Sequence, residues 1–132
     1  MISNWLAQQL LNATLRGIAF TAPTTVYLAL YTSNPTKADT GTEVSGGGYA
    51  RQAVTMSAPT VIDGSYTVRN SADVPFPVAT ANWGTVSYFG IRTAATGGNL
   101  MYFAPLENPR SIQLDDRFII AQNKALVRFI QP

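Results

Sequence analysis

From Thr24 the chain alternates. Val26, Leu28 and Leu30 fall on one side, and Thr25, Tyr27, Ala29 and Tyr31 on the other, which is the period of an extended strand. Short segments with that period recur as far as Ile130, each closed by Gly, Asn, Asp or Pro. A chain patterned in this way is built for sheets and hairpins and cannot make a helical bundle.

Tyr49 to Met56 predicts a second strand, with Tyr49, Arg51, Ala53 and Thr55 on one face. Asp63-Gly64 is a hairpin turn flanked by strand pieces at 58–62 and 65–69. Residues 71–79 are extended, but Pro75 and Pro77 confine them to an edge or an irregular crossing. Thr85 to Thr93 predicts a strand with Val86, Tyr88, Gly90 and Arg92 alternating against Ser87, Phe89 and Ile91. Thr96-Gly97-Gly98-Asn99 then turns the chain into Leu100 to Ala104. Segments 111–114, 117–121 and 125–130 complete the set, with Asp115-Asp116 and Gln122-Asn123-Lys124 as turns.

Only the first residues depart from the pattern. Ser3 or Asn4 can cap a helix running to about Arg16, with Gly17 as its stop. Ile2, Trp5, Leu6, Leu10 and Ala13 form one apolar stripe, and Ala7, Leu11 and Leu15 a second roughly opposite. A helix apolar on two sides wants two partners. Either both lie within its own fold, or one belongs to a neighbouring molecule. The expected fold class is all-β: an antiparallel β-sandwich or partly closed barrel of about seven to eight short strands with one N-terminal helix. The chain is expected to be one domain over 1–132, with the helix at 1–17 and the sandwich at 18–132.

Composition narrows what such a domain can do. Charged residues are 12% of the chain, about half the usual share of roughly 25%. Thr, Ser, Asn, Gln and Gly supply the polar positions instead. That suits either a neutral polar surface or a subunit covered by neighbours, because the cores of interfaces are depleted in charge. The nine basic residues are spread singly, so the stripe expected of a nucleic-acid binder is missing. The chain has no Cys and no His, which removes disulfides, thiolate nucleophiles, imidazole bases and the usual zinc sites. Residues 1–15 lack the basic start and apolar core of a signal peptide. No apolar run reaches the length of about 18 residues that a membrane helix needs.

Catalysis would have to rest on carboxylates, Lys, Tyr or Ser. Asp39 and Glu43 share a loop and Asp115 and Asp116 share a turn. No spacing marks a glycosidase pair, and each carboxylate is explained as a turn former. Calcium at Asp115 and Asp116 would need a ligand loop that the flanking residues do not spell. Gly46-Gly47-Gly48 lacks the Lys-Ser/Thr and the helix of a phosphate loop and leads into a strand. No catalytic residue, metal or cofactor is therefore expected, and the chain is read as no enzyme. Trp83, Tyr88, Tyr102 and Tyr49 could form a sugar-stacking platform, but alternation with apolar neighbours explains most of them as core and half-buried sheet surface, which is the favoured reading. The residues expected to make intermolecular contacts are Trp5, Leu11 and Leu15 on the helix and the loop Gly46, Gly47, Gly48 and Tyr49.

Three strings carry a resemblance. Residues 20–33 (Phe20-Thr21-Ala22-Pro23 through Ala29-Leu30-Tyr31-Thr32-Ser33), the stretch Glu43-Val44-Ser45-Gly46-Gly47-Gly48-Tyr49-Ala50-Arg51, and residues 76–100 (Phe76-Pro77 through Asn82-Trp83-Gly84 to Gly97-Gly98-Asn99-Leu100) occur in that order. They resemble a family of short phage and prophage virion proteins, usually labelled tail-fibre-like or minor structural proteins. The resemblance runs from the helix to about residue 104. Past Pro105 the chain is more aromatic and Arg-rich than the family's usual Gly/Ala-rich close. The resemblance implies a non-enzymatic virion structural protein, made in the host cytoplasm and carried on the tail or the capsid exterior. A tail fibre, adaptor or baseplate part comes first, a capsid decoration (cement) protein second, and a glycan- or receptor-binding module third. The implied partners are other virion proteins and copies of itself, a trimer among the symmetric assemblies that fit, with a cell-surface glycan as a further candidate and neither nucleic acid nor membrane.

Overall fold

The computed structural model describes residues 1–131. Helix α1 spans Asn4–Leu15. The Ser3 hydroxyl caps it by accepting from the Leu6 N–H at 3.1 Å, and Gly17 ends it with a φ of 67°. Nine strands follow: β1 (Val26–Tyr31), β2 (Gln52–Val54), β3 (Thr60–Ile62), β4 (Ser65–Arg69), β5 (Val74–Pro75), β6 (Gly84–Arg92), β7 (Leu100–Ile112), β8 (Ile119–Ile120) and β9 (Leu126–Arg128). They form sheets of order β2-β1-β6-β7, β3-β4-β9 and β5-β8, and every pairing is antiparallel. The arrangement is sandwich-like, with no closed barrel.

The alternation along β1 places its side chains as the sequence predicts. Leu28 and Leu30 enter the main core with Leu6, Phe76, Trp83, Ile91 and Phe118. Ala29 and Tyr31 join a second cluster with Leu100 and Phe103 on the other face. Both faces of the central sheet are thus covered, so β1 is buried from Leu28 to Tyr31. The Asp63-Gly64 turn joins β3 and β4 with φ of 52° and 80°. Two successive positive values are what a type I′ hairpin requires, and Gly adopts the second without steric cost. Val74–Pro75 pairs only with Ile119–Ile120, the marginal position that its prolines allow.

Three segments differ from the sequence reading. The second strand begins at Gln52 rather than Tyr49, because the Tyr49 and Arg51 side chains both bond to Glu43 and hold this stretch as loop. β7 continues past Pro105 and Pro109 to Ile112. It lies at the edge of its sheet, where a missing N–H costs little. Between Pro105 and Arg110 it takes five residue steps against two on β6, from Tyr88 to Val86. That irregularity turns β6 over, so Val86 joins Ile91 and Phe89 in the main core, while Tyr88 packs on the second cluster. The expected grouping of Val86 with Tyr88 therefore fails at this one step.

Candidate functional site

The long loop between β1 and β2 is fastened by charge. Arg51 Nε and Nη2 donate to Glu43 Oε2 (2.8 Å) and Oε1 (2.7 Å). Its Nη1 donates to the carbonyls of Ala94 (2.9 Å) and Gly97 (2.8 Å). Arg92 donates to Asp39 Oδ1 (2.8 Å), the Tyr31 hydroxyl (3.0 Å) and the Gly98 carbonyl (3.1 Å). Asp39 and Glu43 are therefore arginine partners that tie the loop to the β6–β7 turn. Burial alone would raise the Glu43 carboxyl, but hydrogen bonds from Arg51 and Tyr49 outweigh it and hold it below the usual range. Burial and the Glu43 bond push the Tyr49 hydroxyl far up. Burial opposes the charge of Arg92, yet Asp39 and Tyr31 raise it overall.

This fastening decides where the predicted contact residues lie. Tyr49 donates to Glu43 Oε2 at 2.6 Å and accepts from the Leu30 N–H at 3.0 Å. Its ring stacks on Phe76 and meets Trp83 edge-on, with centroids 5.4 Å apart. The Gly47 carbonyl accepts from Trp83 Nε1 at 2.8 Å and from the Thr80 N–H at 2.9 Å. A Cβ on Gly47 would lie 2.9 Å from the Trp83 ring. Gly47 and Tyr49 are thus used inside the fold, while Gly46 and Gly48 are exposed. On the helix, Trp5 is half-buried, packed on the core and edge-on to Phe20. Leu11 and Leu15 point outward, 58% and 77% exposed. The structure does not bring Trp5 onto their face.

The aromatic residues weighed as a sugar platform are dispersed. Trp83 is buried. Tyr49 and Tyr102 pack on the main core, and Tyr88 lies on the cluster across the sheet. Asp115 and Asp116 sit in a tight turn, where Asp116 Oδ2 accepts from the Gln113 N–H at 2.9 Å.

Sequence reasoning missed a second exposed apolar region. Leu126 on β9 and Phe129 and Ile130 just after it are exposed, as are Met1, Val61 and Tyr66. The signal was in the alternation: Ala125 and Val127 face inward, so Leu126, Arg128 and Ile130 occupy outward positions that an ordinary solvated strand would make polar. Next to them an open cleft of about 550 Å³ separates β9 from the central sheet, with Ile91, Tyr102 and Phe103 in its lining. A second of about 520 Å³, bordered by β8 and the 105–110 stretch, adjoins it at Phe89, Ala104 and Leu126. The two make one apolar trough along β7. Its charged residues are Arg128, Glu107, Arg110 and Lys124.

The N-terminus borders the same trough. Met1 to Ser3 runs antiparallel beside β7. The Met1 ammonium donates to the Phe103 carbonyl (2.8 Å), the Phe103 N–H to the Met1 carbonyl (3.0 Å), and the Ser3 N–H to the Met101 carbonyl (2.8 Å).

No curated protein gives a significant match to the chain. A family model described as podophage GP4 fiber I protein gp80 matches residues 1–128. The match continues through β8 and β9, well past residue 104, where the sequence resemblance faded. An all-β chain with one capped helix, matched from its first residue to the end of its last strand, belongs to this family of phage fibre structural proteins.

Proposed function

We propose that the chain is a non-enzymatic part of the phage tail fibre, or of the adaptor or baseplate that carries it. It acts through assembly contacts with other virion proteins and with copies of itself. The observation that carries this reading is the family match over residues 1–128. The surface supports it: Leu11, Leu15 and Ile18 on the helix side, and Leu126 on β9 with Phe129 and Ile130 just after it, are large apolar side chains left to solvent. Apolar groupings of this kind mark contact surfaces.

The test is localisation on intact particles by antibody-gold labelling or cryo-electron microscopy. Density on the fibres or at the tail tip is the expected result. Density repeated over the head lattice would replace this reading with a cement role, and absence from purified particles would overturn it.

A further inference from the structure

We propose that the trough along β7 receives an extended, apolar segment of another virion protein, flanked by carboxylates, which adds as a strand to an open sheet edge. This rests on the fibre reading above and names the partner chemistry for one surface.

Three observations carry it. The sheet orders leave β7 and β9 as edge strands, and both border the trough. Met1 to Ser3 covers the β7 edge as far as Phe103, and Pro105 and Pro109 leave the stretch beyond it short of N–H donors, so among the described residues the edge open to a further strand is that of β9. An open edge is a template for a further strand, and strand addition takes its affinity from main-chain bonds and its selectivity from pockets for alternate side chains. The floor supplies such pockets through Phe89, Ala104 and Leu126, which both clefts share.

The rim supplies the sign of charge. Arg110 and Lys124 have no ion pair among the described residues, and Arg128 has only Asp63 at 3.8 Å. Glu107 is the one carboxylate among the lining residues. Three cationic side chains against one carboxylate favour an acidic occupant. The same charges oppose a second copy docking face to face, since a two-fold contact would set the cations of one copy against those of the other. An acyl chain would fill the floor yet leave the open edge without donors or acceptors, so the edge favours a polypeptide.

The experiment places p-benzoylphenylalanine at Leu126, and in a control at the exposed Val61 outside the trough, in the protein carried by intact phage. Particles are purified, incorporation is checked by immunoblot, and photo-adducts are mapped by mass spectrometry. The expected adduct from Leu126 exceeds the Val61 control at least ten-fold. It falls on a segment of a different virion protein with alternate apolar residues and adjacent Asp or Glu. Adding Arg110→Glu and Lys124→Glu should cut its yield about ten-fold and leave the urea midpoint unchanged, since neither side chain makes a hydrogen bond or ion pair among the described residues. Adducts to a second copy or to phospholipid, or no excess over control with the protein present, would overturn the proposal. Absence of the unmodified protein from particles would instead remove the fibre reading, and the occupant with it.

Discussion

Asn70 is fully buried and was invisible in the sequence, where an Asn before Ser71 reads as one more turn residue. Its Nδ2 donates to the carbonyls of Ala72 and Ala121, both at 2.9 Å, and its Oδ1 accepts from the Ala125 N–H at 2.9 Å. One amide thereby ties the end of β4 to the turn between β8 and β9. Asn70→Ala would strand the buried Ala125 N–H and take a donor from the Ala72 and Ala121 carbonyls, and should cost about 2 kcal/mol in urea unfolding. Asn70→Asp should cost as much, because it removes two donors and buries a charge. Glu43 gives a test in pH. Its folded pKa lies below the ordinary value of 4.5, so its stabilising contribution is present above that value and lost as pH falls through the folded pKa. Unfolding midpoints of the parent should drop in this acid window. Glu43→Gln should flatten that drop and lower neutral stability by about 2 kcal/mol. Only the spacing of Tyr49 and Arg51 on one side hinted at their shared acceptor; that the acceptor would be Glu43 depends on how the loop closes.

At the scale of elements, the helix shows what periodicity can and cannot decide. Both apolar stripes were legible, as were the cap and stop. Which stripe meets the fold was not, because Leu6 and Leu11 look alike until the β7 surface is in place. Leu6 is buried and Leu15 largely exposed. Leu6→Ala should cost about 3 kcal/mol, and Leu15→Ala should stay within about 0.5 kcal/mol, both read from urea unfolding of the isolated chain. The strands behave likewise. β1 and the two hairpins follow from alternation and turn residues. The long run of β7 through two prolines does not, since only its place at a sheet edge makes Pro105 and Pro109 tolerable. The irregularity opposite Tyr88 was hidden too: a step of five residues against two is set by the partner strand and leaves no local mark.

For the whole molecule, the central pair β1 and β6 is the part covered on both faces, whereas β3, β5 and β8 are short and lie at edges. Native-state hydrogen exchange should therefore rank them. Amides of Leu28 to Leu30 and of Gly90 and Ile91 should exchange only with global unfolding, and those of β3 and β8 through cheaper local opening. Equal protection across all of them would contradict this ordering.

Arg51 and Arg92 both grip the turn at Gly97 and Gly98, and their carboxylates both come from the loop after β1. Two distant stretches are cross-linked in this way in a chain that has no cysteine. A cystine would form and persist only in oxidising surroundings. A guanidinium fork closes equally well in a reducing cytosol and in open medium. The two clamps therefore hold the loop after β1 to the β6–β7 turn in either redox setting, with no disulfide to be formed.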